Sequence, residues 1–183
     1  MKQIMLTGSG GQGMILAGII LARAGIRDGL EATQTQSYGP EARGGASRAE
    51  VILDREPIDY PRVTQADVVL AMTQEACAKF APQLRPGGVL VVDPLYVREI
   101  PPVEGTVHQV AITRTAQEAV GRAVTANIVA LGVLNQICRL VSDEALAAAV
   151  RESVPRGTEE VNLQALAAGC AAGASVAFPA ELV

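Results

Sequence analysis

The sequence predicts an α/β domain of three layers, with a mainly parallel central sheet covered by helices, and three observations carry that expectation. A short apolar strand runs into a glycine loop and then into a long apolar segment. Strand-like and helix-like runs alternate as far as Val92. The final third reads as helix after helix. Such alternation places parallel strands between crossover helices, because a strand buried on both faces needs cover on both.

Ile4-Met5-Leu6 is the first strand, ended by Thr7-Gly8-Ser9-Gly10-Gly11-Gln12-Gly13. Residues 14–24 are apolar nearly all round, which predicts a well-buried helix closed by Gly25. This opening strand, glycine loop and helix form a Rossmann-like unit. Residues 31–36 form a polar strand candidate. In residues 47–53, Ala49, Val51 and Leu53 alternate with Arg48 and Glu50, the pattern of a strand with one solvated or ligand-facing side. Residues 66–72 are apolar after Asp67 and predict a central parallel strand. Thr73 is a helix cap for residues 74–80, Arg85-Pro86-Gly87-Gly88 a turn, and residues 89–92 another central strand ended by Asp93-Pro94. Residues 108–112 suggest one more strand. Helices follow over residues 125–140, after Ser142 and after Thr158. Both caps precede two acidic residues, where the helix dipole favours negative charge. Pro155-Arg156-Gly157 separates the last two helices, and the small apolar tail 171–183 is either loose or docked on a partner.

Composition narrows the function classes. With 183 residues, 49% hydrophobic and 19% charged, the chain is one domain, 1–183, that can bury a core. Aromatic residues are only 3%, so aliphatic side chains must do the packing. A net charge of −4 offers no electrostatic footprint for nucleic acid. Residues 123–140 carry too many polar side chains to cross a membrane, and the start lacks a signal-peptide layout. Cys77, Cys138 and Cys170 are odd in number and far apart, which fits unbridged thiols in a cytoplasmic protein.

Gly8-Ser9-Gly10-Gly11-Gln12-Gly13 satisfies the G-x-G-x-x-G spacing between strand and helix. Glycines let backbone approach an anion, and a helix start presents unpaired N–H groups. A dinucleotide site also needs an acid closing the second strand, where this chain reads Thr35-Gln36-Ser37. No Lys-Ser/Thr follows the glycines, which excludes a P-loop. Two readings stay open: the glycines hold a phosphate or other polar group, or they only permit close helix–sheet packing.

The second loop, Tyr38-Gly39-Pro40-Glu41-Ala42-Arg43-Gly44-Gly45, is the more specific signal. Together with the first loop and the strand 47–53, it resembles the gamma subunit of 2-oxoacid:ferredoxin oxidoreductases, the pyruvate, ketoisovalerate and 2-oxoglutarate type. Ala66-Asp67-Val68-Val69-Leu70-Ala71, Val91-Val92-Asp93, the helix spanning 127–135, and Val154-Pro155 leading to Asn162 extend the match to about Gly169. The wording of the second loop looks most like members acting on 2-oxoglutarate or branched-chain oxoacids, with the indolepyruvate enzyme's subunit a close relative. The resemblance implies a complex that decarboxylates a 2-oxoacid with thiamine diphosphate and Mg2+, forms an acyl-CoA and reduces ferredoxin through iron–sulfur clusters. It implies alpha and beta partners and a ferredoxin-like delta subunit, which hold those groups. Consistent with that division, the chain has neither a Cys-x-x-Cys cluster pattern nor a Gly-Asp-Gly…Asn diphosphate signature. No cofactor is expected on this chain alone and no catalytic residue or metal ligand is assigned. The candidate binding residues are Gly8, Ser9, Gly10, Gly11, Gln12, Gly13, Tyr38, Arg43, Gly44 and Gly45, facing coenzyme A. A free-standing nucleotide-binding module or small oxidoreductase, and a purely structural interface subunit, are the alternatives.

Other candidates have plain readings. Arg43 pairs with a phosphate or with an acid such as Glu41. Arg48 and Glu50 occupy a solvated strand face more readily than a cleft. His108 has no partner cluster and receives no role. Asp93 forms a turn or faces the ligand rim. Asn127 and Asn135, on an apolar helix, must bond a loop or another subunit.

Overall fold

The computed structural model describes residues 1–37 and 46–177. Six strands and six helices follow one another as β1 (Lys2–Ser9), α1 (Met14–Arg27), β2 (Glu31–Ser37), β3 (Ala46–Asp54), β4 (Ala66–Ala71), α2 (Gln74–Phe80), β5 (Leu84–Val92), β6 (Thr106–Gln109), α3 (Ile112–Val120), α4 (Ala126–Cys138), α5 (Asp143–Ser153) and α6 (Glu159–Ala177). The sheet order is β2-β3-β1-β4-β5-β6. Strands β1, β4, β5 and β6 pair in parallel, whereas β3 runs antiparallel to both β1 and β2. The mainly parallel three-layer α/β arrangement is therefore as expected, with one reversed strand inserted beside β1.

Strand alternation divides the core. Ile4, Leu6, Val51 and Leu70 face a thick layer made of α1, α3, α4, α5 and α6. Met5, Val69, Leu90 and Val92 face a thinner layer around α2, where Phe80 is the largest cover. Aliphatic packing is close because glycines bring main chains together. Along α4 and α6, a Cβ on Gly132 would lie 2.5 Å from the Leu166 carbonyl oxygen, and one on Gly173 would lie 2.8 Å from that of Val133. A Cβ on Gly169 would overlap the Val129 carbonyl oxygen. The pairings of 129 with 169 and 133 with 173 mean that the two helices run side by side in the same direction.

Caps behave as their chemistry requires. Thr73 and Ser142 accept from the third residue onward, Ala76 N–H at 3.2 Å and Ala145 N–H at 3.1 Å. Thr158 differs: its carbonyl takes the first helical bond of α6, from Asn162 N–H, but its hydroxyl donates to the Pro155 carbonyl at 2.7 Å and accepts from Asn162 Nδ2 at 3.1 Å.

Several expectations change. Gly25 does not end α1, which continues to Arg27; its missing side chain accommodates Leu53, 2.5 Å from where a Cβ would lie. Arg85-Pro86-Gly87-Gly88 falls inside the span of β5 but has no partner on β4: Leu84 pairs with Ala66 and Val89 with Val68, so the four residues between them bulge out of the ladder, with Gly87 at φ 75°. The strand expected over 108–112 is β6 and ends at Gln109; Ile112 instead opens α3, whose inward residues Ile112 and Ala116 sit four apart. The tail is helical through Ala177. The Arg48–Glu50 face of β3 is not solvated, because Phe80 and the segment before β4 cover it: Glu50 is 4% exposed. Among the described residues, no helix is long and apolar enough to cross a membrane.

Candidate functional site

All the parallel strands end at one rim, and the glycine loop leaves β1 there. Gly11 and Gly13 hold φ of 92° and 73°, a backbone that glycine adopts without strain. Gln12 N–H donates to the Ser9 carbonyl at 3.2 Å and closes the loop on itself. The Gln12 side chain then folds back: its Oε1 accepts from Ser9 N–H at 2.8 Å, and its Nε2 donates to the Met72 carbonyl at 3.3 Å. That carboxamide occupies the place a Cβ on Gly8 would take. A Cβ on Gly13 would meet Asn127 Nδ2 at 2.5 Å, whereas one on Gly10 or Gly11 meets nothing within 4 Å. The packing reading thus applies to some positions of the motif and not to others. Gly8 and Gly13 permit close packing; Gly10 and Gly11 leave backbone open to the rim.

Tyr38, Gly39, Pro40, Glu41, Ala42, Arg43, Gly44 and Gly45 lie outside the described residues. Their two anchors are described. Ser37 pairs with Arg48, and Ala46 pairs with Ser9, so both ends of that segment meet the rim that holds the glycine loop. Ser47 Oγ donates towards the Ser9 carbonyl at 3.2 Å and the Gly8 carbonyl at 3.4 Å, which stitches the start of β3 to the loop. The antiparallel β3 also separates β1 from β2. A dinucleotide site needs the parallel second strand directly beside the first, so an acid could bracket the ribose; that neighbour is absent among the described strands.

Further along the rim, Asp93 is fully buried. Its carboxylate accepts from Leu95 N–H at 3.0 Å and from Thr113 N–H at 2.7 Å, joining the turn after β5 to the first turn of α3. Asp93 is therefore a turn former, and the turn it fixes displays Leu95 and Tyr96, both about half exposed. Beside them a cleft of about 110 Å3 lies between Gly11, Gln12, Met72, Tyr96 and Val124.

The first turns of α1, α4 and α6 converge on the other side of the loop. Gly13 and Thr125 begin α1 and α4 with no side-chain cap among the described residues. A second cleft, of about 260 Å3, opens between these turns. Asn127 on α4 donates from Nδ2 to the Gly13 carbonyl at 3.2 Å and fixes the loop against the helix. Asn135 is engaged elsewhere: its Nδ2 bonds Asp143 Oδ1 at 2.8 Å and its Oδ1 accepts from Val141 N–H at 3.1 Å. The buried amides thus bond loops of their own chain.

A family model described as pyruvate ferredoxin/flavodoxin oxidoreductase matches residues 3–172. The chain belongs to that family. The 2-oxoglutarate synthase subunit KorC of Methanocaldococcus jannaschii is 47% identical over 171 residues, covering 92% of this chain and 91% of the relative. A keto/oxoacid ferredoxin oxidoreductase gamma subunit from Geobacter sulfurreducens superposes with a TM-score of 0.85 at 45% identity, over 94% of this chain and 98% of its own. The 2-oxoglutarate:ferredoxin oxidoreductase from Magnetococcus marinus, with 2-oxoglutarate, coenzyme A and succinyl-CoA bound, has a TM-score of 0.85 at 25% identity. It covers 99% of this chain, which corresponds to 32% of that larger one. Within the pyruvate ferredoxin/flavodoxin oxidoreductase family, the chain is a gamma-type subunit of a multisubunit oxidoreductase.

The iron–sulfur clusters that the resemblance implies do not fit the thiols of this subunit. Cys77 packs in the α2 layer, while Cys138 and Cys170 pack in the opposite one, so no cluster can gather them. Among the described residues, no group of three His, Cys, Asp or Glu side chains could hold a metal ion. Burial pushes all three thiols up, Cys138 to about 11. A thiol with so high a pKa is almost wholly protonated at neutral pH, and only the thiolate alkylates. Cys138 is expected to react with iodoacetamide at pH 7.5 roughly 100-fold more slowly in the folded chain than in urea. Mass spectrometry of timed aliquots measures the ratio, and equal rates would contradict the burial. His108, the chain's single histidine, lies on edge strand β6, and burial lowers its pKa.

Proposed function

We propose that this chain is the gamma subunit of a cytoplasmic 2-oxoacid:ferredoxin oxidoreductase and that it walls the coenzyme A site of the complex. Gly8, Ser9, Gly10, Gly11, Gln12 and Gly13 form one part of the wall, and Tyr38, Arg43, Gly44 and Gly45 the other. The observation that carries this reading is the register of β3, which returns both ends of segment 38–45 to the rim where the glycine loop opens. Exposed main-chain N–H groups and the Arg43 guanidinium suit the phosphates of the coenzyme. The KorC likeness and the Magnetococcus enzyme's bound 2-oxoglutarate favour 2-oxoglutarate as the oxoacid and succinyl-CoA as the product. Thiamine diphosphate with Mg2+ supplies the decarboxylation chemistry. In this reading it resides with the iron–sulfur clusters in the alpha, beta and ferredoxin-like delta partners, and ferredoxin is reached through the complex.

Gly10 is the clean probe, since a side chain there meets none of the chain's own atoms. In the assembled complex, Gly10→Val and Arg43→Ala are each expected to raise the KM for coenzyme A about tenfold, a loss of about 1.4 kcal/mol. The KM for the oxoacid should stay as it was. An unaltered coenzyme A KM in both variants would remove the reading. The exposed Leu95, Tyr96 and Val124 beside the loop favour a second reading, a surface that docks a neighbouring subunit. That reading predicts that the same variants drop out of the complex without altering the kinetics of what remains.

A further inference from the structure

We propose that the cleft between the first turns of α1, α4 and α6 holds the neutral, amide-bearing pantetheine arm of coenzyme A, an inference that rests on the coenzyme reading above. Two buried carboxamides border this cleft. Asn127 and Asn162 are 5% and 8% exposed, and both line the cleft. Each directs its Nδ2 at a main-chain carbonyl of its own chain: Gly13 at 3.2 Å for Asn127, and Thr158 at 2.8 Å for Asn162. A carbonyl oxygen only accepts, so the amide nitrogen must face it and the amide oxygen must face the other way. Neither Oδ1 receives a hydrogen bond from any described residue, and neither is sealed from solvent without a partner. Two acceptors, each on a side chain more than nine-tenths buried, therefore border the same opening.

Donors border it too. The first turn of α1 carries no side-chain cap among the described residues, so main-chain N–H groups are presented there, whereas at α4 the single turn Ala123–Thr125 already takes the Ala126 N–H on the Ala123 carbonyl. Leu16, Val124, Val154, Pro155 and Val161 make the apolar part of the wall, and the exposed Arg122 stands at its edge with Thr125 and Thr158. A phosphate would use the donors and Arg122 but would set its own oxygens, all acceptors, against the two amide oxygens. A plain hydrocarbon would leave both sets without partners, which is unfavourable in a closing cleft. A secondary amide carries one donor and one acceptor between apolar methylenes, and it satisfies both sets at once. Pantetheine is a chain with two such amides. Gly11 and Gly13 line this cleft and belong to the loop proposed for the phosphates, so one ligand can lie across both.

The test uses the assembled complex and two halves of the coenzyme as competitive inhibitors, pantetheine and adenosine 3′,5′-bisphosphate. Asn162→Ala removes one acceptor. Val124→Trp narrows the mouth from a side chain that is 74% exposed, where the fold tolerates size. Both variants are expected to raise the KM for coenzyme A and the inhibition constant of pantetheine about tenfold, leaving that of the bisphosphate unchanged. Gly10→Val should show the converse pattern. If Gly10→Val raises the coenzyme A KM while both cleft variants leave the pantetheine constant unaltered, the cleft inference is overturned and the coenzyme reading stands. If none of the three variants alters any constant and Arg43→Ala also leaves the coenzyme A KM unchanged, both fall. Loss of the cleft variants from the complex, with unaltered constants in what remains, would assign the cleft to a neighbouring polypeptide and likewise overturn the inference.

Discussion

Replacing Gly169 by leucine is expected to force α6 off α4 and to destabilise the chain by about 4 kcal/mol or more, at the upper end of what single substitutions do. The reason is the partner atom. A first carbon at this position already overlaps the Val129 carbonyl oxygen, which belongs to the main chain of α4 and cannot rotate away. The milder Gly169→Ala separates this cause from helix propensity. At an open helical position that change stabilises by about 1 kcal/mol, because alanine has less conformational freedom to lose. Here overpacking, about 1–3 kcal/mol, opposes and exceeds it. Urea denaturation followed by circular dichroism measures both variants. A neutral or stabilised Gly169→Ala chain would mean that the two helices do not touch through their backbones.

Removing the Glu50 carboxylate should have the next largest effect. Glu50 lies 4% exposed between β3 and α2. One oxygen pairs with Arg48 Nε at 3.1 Å; the other accepts from Thr35 Oγ1 at 3.0 Å and from Val63 N–H at 3.3 Å. Arg48 lies over the Phe80 ring, 5.4 Å from its centre, so its guanidinium is held from both sides. Glu50→Ala leaves a largely buried cation, a hydroxyl and a main-chain donor without their acceptor. Breaking one partner of a buried pair costs about 3–5 kcal/mol. Arg48 retains 20% side-chain exposure, which places the expected loss near the lower figure, about 3 kcal/mol. The double variant Arg48→Met with Glu50→Leu should recover most of it, since two apolar side chains need no desolvation. A cycle of single and double variants under denaturant gives the coupling. Additive losses would show that the pair is not one unit.

These two positions also mark where sequence reasoning stops. Caps, strand alternation and glycine punctuation act over a few residues, and they were readable: Thr73 and Ser142 cap where expected, and β1, its loop and α1 follow from residues 4–24. Contacts between distant segments leave no local trace. Gly25 reads as a helix stop until Leu53 is found beside it, and Glu50 reads as solvated until Phe80 is placed over it. The reversal of β3 was equally hidden, because alternation gives the faces of a strand but not its direction or neighbour. Helix α3 did carry a signal, Ile112 and Ala116 four apart, obscured by reading His108 to Ile112 as one strand. The first loop was legible as a motif, although the folded-back Gln12 was not. Asn162 stood in the sequence only as part of a family resemblance; its opposition to Asn127 across a cleft is a property of the packed helices. The second loop, which carries the most specific resemblance, lies outside the described residues.

The contact between α4 and α6 reaches further than stability. Asn127 lies two residues before Val129, and Asn162 lies seven, about two turns, before Gly169. Backbone seated directly on backbone works as a caliper: it sets the gap between the two carboxamides by atoms that every amino acid shares. Side chains around that gap can drift over evolutionary time while its width is conserved, provided the three glycines persist.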